Sequence, residues 1–132
     1  MKISAVIESR LNELQSIVRT NETFQTIPIP VKSSGYGSGV NGGELLMLAL
    51  ATCYCNDIYR EAAKLKMVIT GVQVECEADF EKEGEAGSNI IYSVKIDSPA
   101  TPDEIESLIM RTDAVAEIHN TLRRGVEVRL NR

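Results

Sequence analysis

The sequence predicts an α+β fold, with an antiparallel sheet and helices on one side, and three observations carry that prediction. Residues 72–80 and 89–97 alternate apolar and polar side chains, the period of half-buried strands. Residues 45–55, LLMLALATCYC, are apolar on nearly every side and open a long helix. Thr101-Pro102-Asp103-Glu104 has the form of a capping box with Pro at the first helical position, so a second helix starts there. Strands in runs, broken by two helices, favour antiparallel pairing over a parallel α/β arrangement.

Taken in order, residues 1–31 read as strands. Ile3, Ala5 and Ile7 share one side of the first, and Leu14, Ser16 and Val18 repeat the period in the second. Thr20-Asn21-Glu22 is a turn, and Phe24–Val31 is extended and reaches the edge prolines Pro28 and Pro30. The Ser- and Gly-rich segment 32–43, KSSGYGSGVNGG, lacks the G-K-[ST] ending of a phosphate-cradling loop and reads as a connector over the mouth of a pocket. Asn41 and Glu44 form a capping pattern for a helix running to about Lys66. Its second half places Ile58, Ala62 and Leu65 inward and Arg60, Glu61 and Lys64 outward.

In the next strand Val72, Val74, Cys76, Ala78 and Phe80 face one way, and its partner places Ile90, Tyr92, Val94 and Ile96 inward. The second helix carries Ile105, Leu108, Ile109, Val115, Ile118 and Leu122 as its stripe and ends at Gly125, after Arg123 and Arg124. Val126, Val128 and Leu130 form a closing strand. The expected order is β-β-β-α-β-β-α-β, as a single domain over 1–132. The first helix has more apolar surface than one sheet face can cover, so a second copy of the chain, a homodimer, is expected.

The chain has 132 residues, enough for one domain that buries roughly 70% of its unfolded surface. With 14 Lys and Arg against 19 Asp and Glu, the net charge is −5 and no basic stripe appears. Nucleic acid is therefore not expected as a partner. The apolar stretch at 45–55 is too short to span a bilayer, and the first ten residues do not resemble a leader. The three cysteines lack the spacing of a disulfide framework or a zinc site, so a reducing, cytoplasmic setting with no metal and no cofactor is expected.

Cys53 lies deep in the apolar helix, where burial alone makes a thiol inert. Cys55 points to a different side, so a bond between the two would require local unwinding. Cys76 reads as core, with an unusual partnership to Cys53 as the alternative. His119, the only histidine, reads as a surface or capping residue, or as a proton donor near Cys53.

The segment VNGGELLMLALATCYCNDIYREAAK resembles the signature of the OsmC/Ohr family, in which a loop leads into P-x-E-L-L and then A-L-x-x-C within a helix. LRRGVEVRL resembles the closing helix-to-strand segment, and the order of elements agrees over most of the chain. The resemblance implies an intertwined homodimer around a buried central helix. It also implies a thiol peroxidase whose first cysteine attacks an organic hydroperoxide and whose second resolves the sulfenic acid. An Arg and a Glu hold the reactive thiolate in that scheme.

Cys53 matches the reactive cysteine. Ala116 stands where the resolving cysteine is expected, and Gly43 where the Glu is expected, with Glu44 one residue later. Arg10 fits the Arg by its place after the first strand, and Arg19 is the alternative. Two functions follow. One is hydroperoxide reduction by Cys53 in a one-cysteine mode, with an external thiol as reductant. The other is a non-catalytic module that binds a small apolar ligand or a protein partner.

Overall fold

The computed structural model describes residues 1–132. The chain comprises two compact units, Met1–Leu45 and Leu46–Arg132.

The first unit is an antiparallel meander of β1 (Ile3–Arg10), β2 (Glu13–Thr20) and β3 (Thr23–Thr26). Ile3 faces Thr20 and Arg10 faces Glu13 across the first pair, and Ile17 faces Thr26 across the second. Both hairpins turn on an asparagine in the left-handed region, Asn12 at φ 59° and Asn21 at φ 51°, a conformation that Asn tolerates better than most residues. The extended segment expected to reach Val31 is a strand only to Thr26. Pro28 and Pro30 have no N–H for a ladder, and Val31 makes an isolated bridge to Ser38.

Helix α1 (Gly42–Lys64) begins with the expected box. The Glu44 backbone N–H donates to Asn41 Oδ1 at 2.8 Å, and the Asn41 N–H donates to Glu44 Oε1 at 3.0 Å. In the second unit this helix packs with β4 (Gly71–Asp79), β5 (Ser88–Asp97), α2 (Pro102–Val115) and α3 (Glu117–Arg123). Tyr54, Ile58, Ala62, Leu108 and Ala116 form the core, and Val72, Val74, Tyr92, Val94 and Ile96 of the β4–β5 pair pack against it. These strand residues belong to the inward sets that alternation predicts, with Val74 opposite Val94 and Cys76 opposite Tyr92, whereas Ile90, expected inward, is exposed near the start of β5. The α+β class and antiparallel pairing thus hold, in a three-stranded and a two-stranded sheet. No helix is long and apolar enough to cross a membrane.

Four further details differ from the sequence reading. The second helix is broken: Ala116 turns to ψ 107°, and α3 restarts after it. The carbonyls freed at the end of α2 are taken by side chains of α3, Asn120 Nδ2 donating to Ala114 and Arg123 to Asp113, both at 3.1 Å. Glu61 is buried and Leu65 exposed, the reverse of the expected pattern. Three cations make that burial tolerable: Arg60 and Lys64 at 2.9 Å and Arg111 at 3.0 Å. Those donors, Lys64 first, pull the Glu61 carboxyl down to about 2. Phe80 lies beyond the end of β4, past the register shift between Glu77 and Asp79, and is exposed. Lastly, residues 126–130 pair with no strand of this chain, although Val126, Val128 and Leu130 alternate as a strand would. Gly125 does end the preceding helix, at φ 62°.

Candidate functional site

Cys53 and Asp57 lie one helical turn apart on α1, so their side chains share a face. The half-buried Cys53 thiol donates to Asp57 Oδ2 at 3.5 Å. The break at Ala116 sets the first residue of α3 against the same sulfur, with Glu117 Oε2 3.9 Å from Sγ. One guanidinium ties the two carboxylates together: an Arg60 amino nitrogen lies 3.1 Å from Asp57 Oδ1 and 2.8 Å from Glu117 Oε1.

The electrostatics follow from this arrangement. Burial pushes the Cys53 thiol up, the Ile118 backbone N–H opposes that, and the Asp57 carboxylate adds to it. Burial and the Glu117 carboxylate also raise Asp57, against the pull of Arg60. Glu117, on the solvent side, is lowered by a backbone hydrogen bond and by Arg60. The thiol is therefore the resting form, and it faces a proton acceptor rather than a bare cation. The sulfur and carboxylate donor atoms of Cys53, Asp57 and Glu117 lie within 4.8 Å of one another, close enough for a cation to be considered. Arg60 already supplies positive charge to both carboxylates, so the grouping is complete with the chain's own residues.

Of the residues singled out in the sequence that belong to the second unit, Cys53 alone lies at this cluster. Ala116 is fully buried in the core, beside Glu117. Glu44 is exposed and engaged in capping. Arg10, at the end of β1 in the first unit, is exposed and pairs with Glu8 at 2.7 Å. Arg19 is exposed and lies over the Phe24 ring, 5.4 Å from its centroid. Cys55 and Cys76 are half-buried free thiols, and burial raises the Cys76 thiol. Cys55 lines a shallow hollow with Ala51, Thr52, Asn56 and Val74.

Neither a surface nor a capping residue, His119 is 5% exposed, and neither ring nitrogen has a partner. It packs edge-on against Tyr92, with centroids 4.5 Å apart, and near Tyr54 at 5.8 Å. Burial, then Arg123, lowers its pKa and keeps the ring neutral. Each orphaned polar atom in such a place costs about 1–3 kcal/mol. With Leu50, Ile90, Tyr92, Leu122 and Arg123, His119 lines a mainly apolar cavity of about 250 Å³. Around it, the Tyr54 hydroxyl donates to the Ile109 carbonyl at 2.9 Å, and Tyr92 donates to Asp113. Burial pushes Tyr54 up to about 12 and Tyr92 higher still, so both remain protonated donors.

Sequence reasoning missed Asp57, Arg60 and Glu117. The spacing of Cys53, Asp57 and Arg60 on one helix face was available as a signal. Glu117 was hidden, because a continuous helix through Ala116 would have aimed it elsewhere.

A family model described as OsmC-like protein matches residues 35–131, well over half of the chain. No curated protein matches in sequence. Among solved structures, the fold is similar to that of an OsmC-like protein of Mycoplasma pneumoniae, at TM-score 0.64 and 21% identity over 92% of this chain and 86% of that one. It is also similar to an organic hydroperoxide resistance protein of Legionella pneumophila, at TM-score 0.61 and 18% identity over 98% and 95%. A third likeness is to an organic hydroperoxide resistance protein of Elizabethkingia anophelis with thiocyanate bound, at TM-score 0.63 and 17% identity over 97% and 92%. At these identities the structural likeness carries the fold.

Proposed function

This chain belongs to the OsmC-like protein family, and from that premise we propose that it reduces organic hydroperoxides through Cys53 in a one-cysteine mode. The observation that carries the reading is the position of Cys53: on the central helix, half-buried, with no second thiol at the α2–α3 junction that faces it. Ala116 occupies that junction. The sulfenic acid would then be resolved by an external thiol. A reducing, cytoplasmic setting supplies such thiols and suits three free cysteines. That two structural neighbours are called organic hydroperoxide resistance proteins supports the substrate class.

Arg10 is part of the proposal as the cation acting on the thiolate, and Arg10→Met tests it by slower peroxide turnover. A homodimer is also part of it, supported by the exposed apolar residues of β1 and by the unpaired segment 126–130. Light scattering on the purified chain decides between one copy and two. The experiment for the function itself is hydroperoxide consumption with a dithiol reductant, comparing the wild type with Cys53→Ser. Turnover that survives in Cys53→Ser sinks the reading.

One observation favours a second reading, a non-catalytic module for a small apolar ligand: the cavity beside the unpartnered His119. Under that reading a bound apolar probe is retained by Cys53→Ser and lost when Leu50→Trp fills the cavity.

A further inference from the structure

A thiol that attacks a hydroperoxide must lose a proton, and the alkoxide that leaves must gain one. Within the second unit the side chains facing the Cys53 sulfur are Asp57 of α1 and Glu117 of α3, with Arg60 of α1 bridging them and the Ile118 backbone N–H close by. We infer that the Asp57–Glu117 carboxylate pair is the proton carrier of the reaction, taking the thiol proton from Cys53 and returning it to the departing alkoxide, with Arg60 as the residue that positions the pair. The inference rests on the peroxidase reading of Cys53 and names the acid–base groups of that same site.

The S–H proton passes to Asp57 Oδ2. The sulfur electron pair bonds to the terminal oxygen of R–O–O–H, the O–O bond breaks, and its electron pair leaves on RO⁻. The protonated carboxyl of the pair gives its proton to RO⁻ and yields ROH, so the pair ends as it began. The terminal oxygen keeps its own hydrogen, and Cys53 becomes a sulfenic acid. Sulfur is oxidised by two electrons and the peroxide is reduced by the same two. An external thiol then condenses with the sulfenic acid and releases water. A second external thiol frees Cys53 and leaves as a disulfide.

Three features of the geometry support this over an accidental acidic neighbourhood. Asp57 is within hydrogen-bonding reach of the thiol and is itself buried, so its proton is shielded from bulk water. Glu117 is exposed, so the pair reaches from the sulfur to the side from which an alcohol can depart. Their surroundings also push the two carboxyls apart, Asp57 up and Glu117 down, so that a proton taken from the thiol rests on Asp57 while Glu117 stays ionised. Arg60 stops the pair from repelling open while one proton moves through it.

The test uses the full chain and two rates at Cys53: alkylation by iodoacetamide across pH, resolved by peptide mass spectrometry, and single-turnover reduction of cumene hydroperoxide. Alkylation needs only the thiolate, whereas peroxide reduction also needs the returned proton. Removing a neighbouring negative charge favours the thiolate, so Asp57→Asn is expected to alkylate faster at neutral pH. The same variant is expected to reduce cumene hydroperoxide about 100-fold more slowly, the scale of a lost acid–base group. Glu117→Gln, at an exposed position that leaves the fold intact, is expected to alkylate faster without a matching gain in peroxide reduction. Peroxide reduction that rises in step with alkylation in either variant overturns the inference and makes the carboxylates bystanders. A wild type that alkylates at Cys53 but reduces no peroxide overturns the peroxidase reading, and the relay with it. An active wild type with accelerated variants overturns the relay alone.

Discussion

In the second unit Tyr54, Ile58, Ala62, Leu108 and Ala116 close on one another and leave water. In the first, Ile3, Val6, Ile7 and Phe24 remain exposed, although Ile3, Ala5 and Ile7 alternate along β1 just as regularly. Only Ser16 and Gly35 are buried among residues 1–45. The difference lies in what each sheet has to pack against. The β4–β5 pair has α1 and α2 on one face, and three strands without a covering layer have nowhere to put an apolar side chain. Periodicity therefore tells which residues want cover, while the cover itself comes from elsewhere. For the meander of β1 to β3 we propose a second copy of the chain.

Substitutions sharpen this contrast, and the largest effect belongs to the core. Ile58→Ala should cost about 2–5 kcal/mol in a urea melt, since it empties a fully buried site. Smaller and equal losses are expected from the two capping boxes. Thr101→Ala and Asn41→Ala each remove a side chain that accepts a backbone N–H, at about 1 kcal/mol. The smallest effect separates one copy from two. Val6→Ala should stay within about 0.5 kcal/mol at concentrations where the chain is a monomer. A larger loss that grows as the chain dimerises would show that β1 is covered by a partner.

His119 offers a test by pH rather than by magnitude. Its folded pKa lies below 6.5 because the ring is buried, with Arg123 acting in the same direction. The unfolded chain therefore takes up the proton first as the pH falls. Stability tied to His119 is complete above 6.5 and is lost as the pH drops from there through the folded value. His119→Phe should flatten that acid slope in urea midpoints while leaving the plateau above it in place. An unchanged slope would mean that the ring is not held neutral.

Much of this arrangement was legible in the residues. The two capping boxes, most of the inward residues of β4 and β5, the stop at Gly125 and the family resemblance on ALATC all appear in the structure or its comparisons. What was not legible depended on contacts distant in sequence. The stripe from Ile105 to Leu122 reads as one helix, because nothing local announces that Ala116 will be drawn into the core and turn the chain. Once that turn is missed, Glu117 is lost from the site. Glu61 was placed outward because a lone carboxylate belongs in water, yet Arg111, fifty positions away, completes its shell. The closing strand was inferred from alternation alone, and alternation does not supply a neighbour.

The claim on which the rest depends is that Cys53 is the reacting group and stands without an internal resolver. It is tested most directly by treating the folded chain with one equivalent of an organic hydroperoxide and mapping each cysteine by mass spectrometry. One added oxygen is expected at Cys53, trapped as a sulfenic acid adduct, with Cys55 and Cys76 still thiols and no intrachain disulfide. A Cys53 that stays reduced in the folded protein, or that is recovered in a disulfide with Cys76, would contradict it.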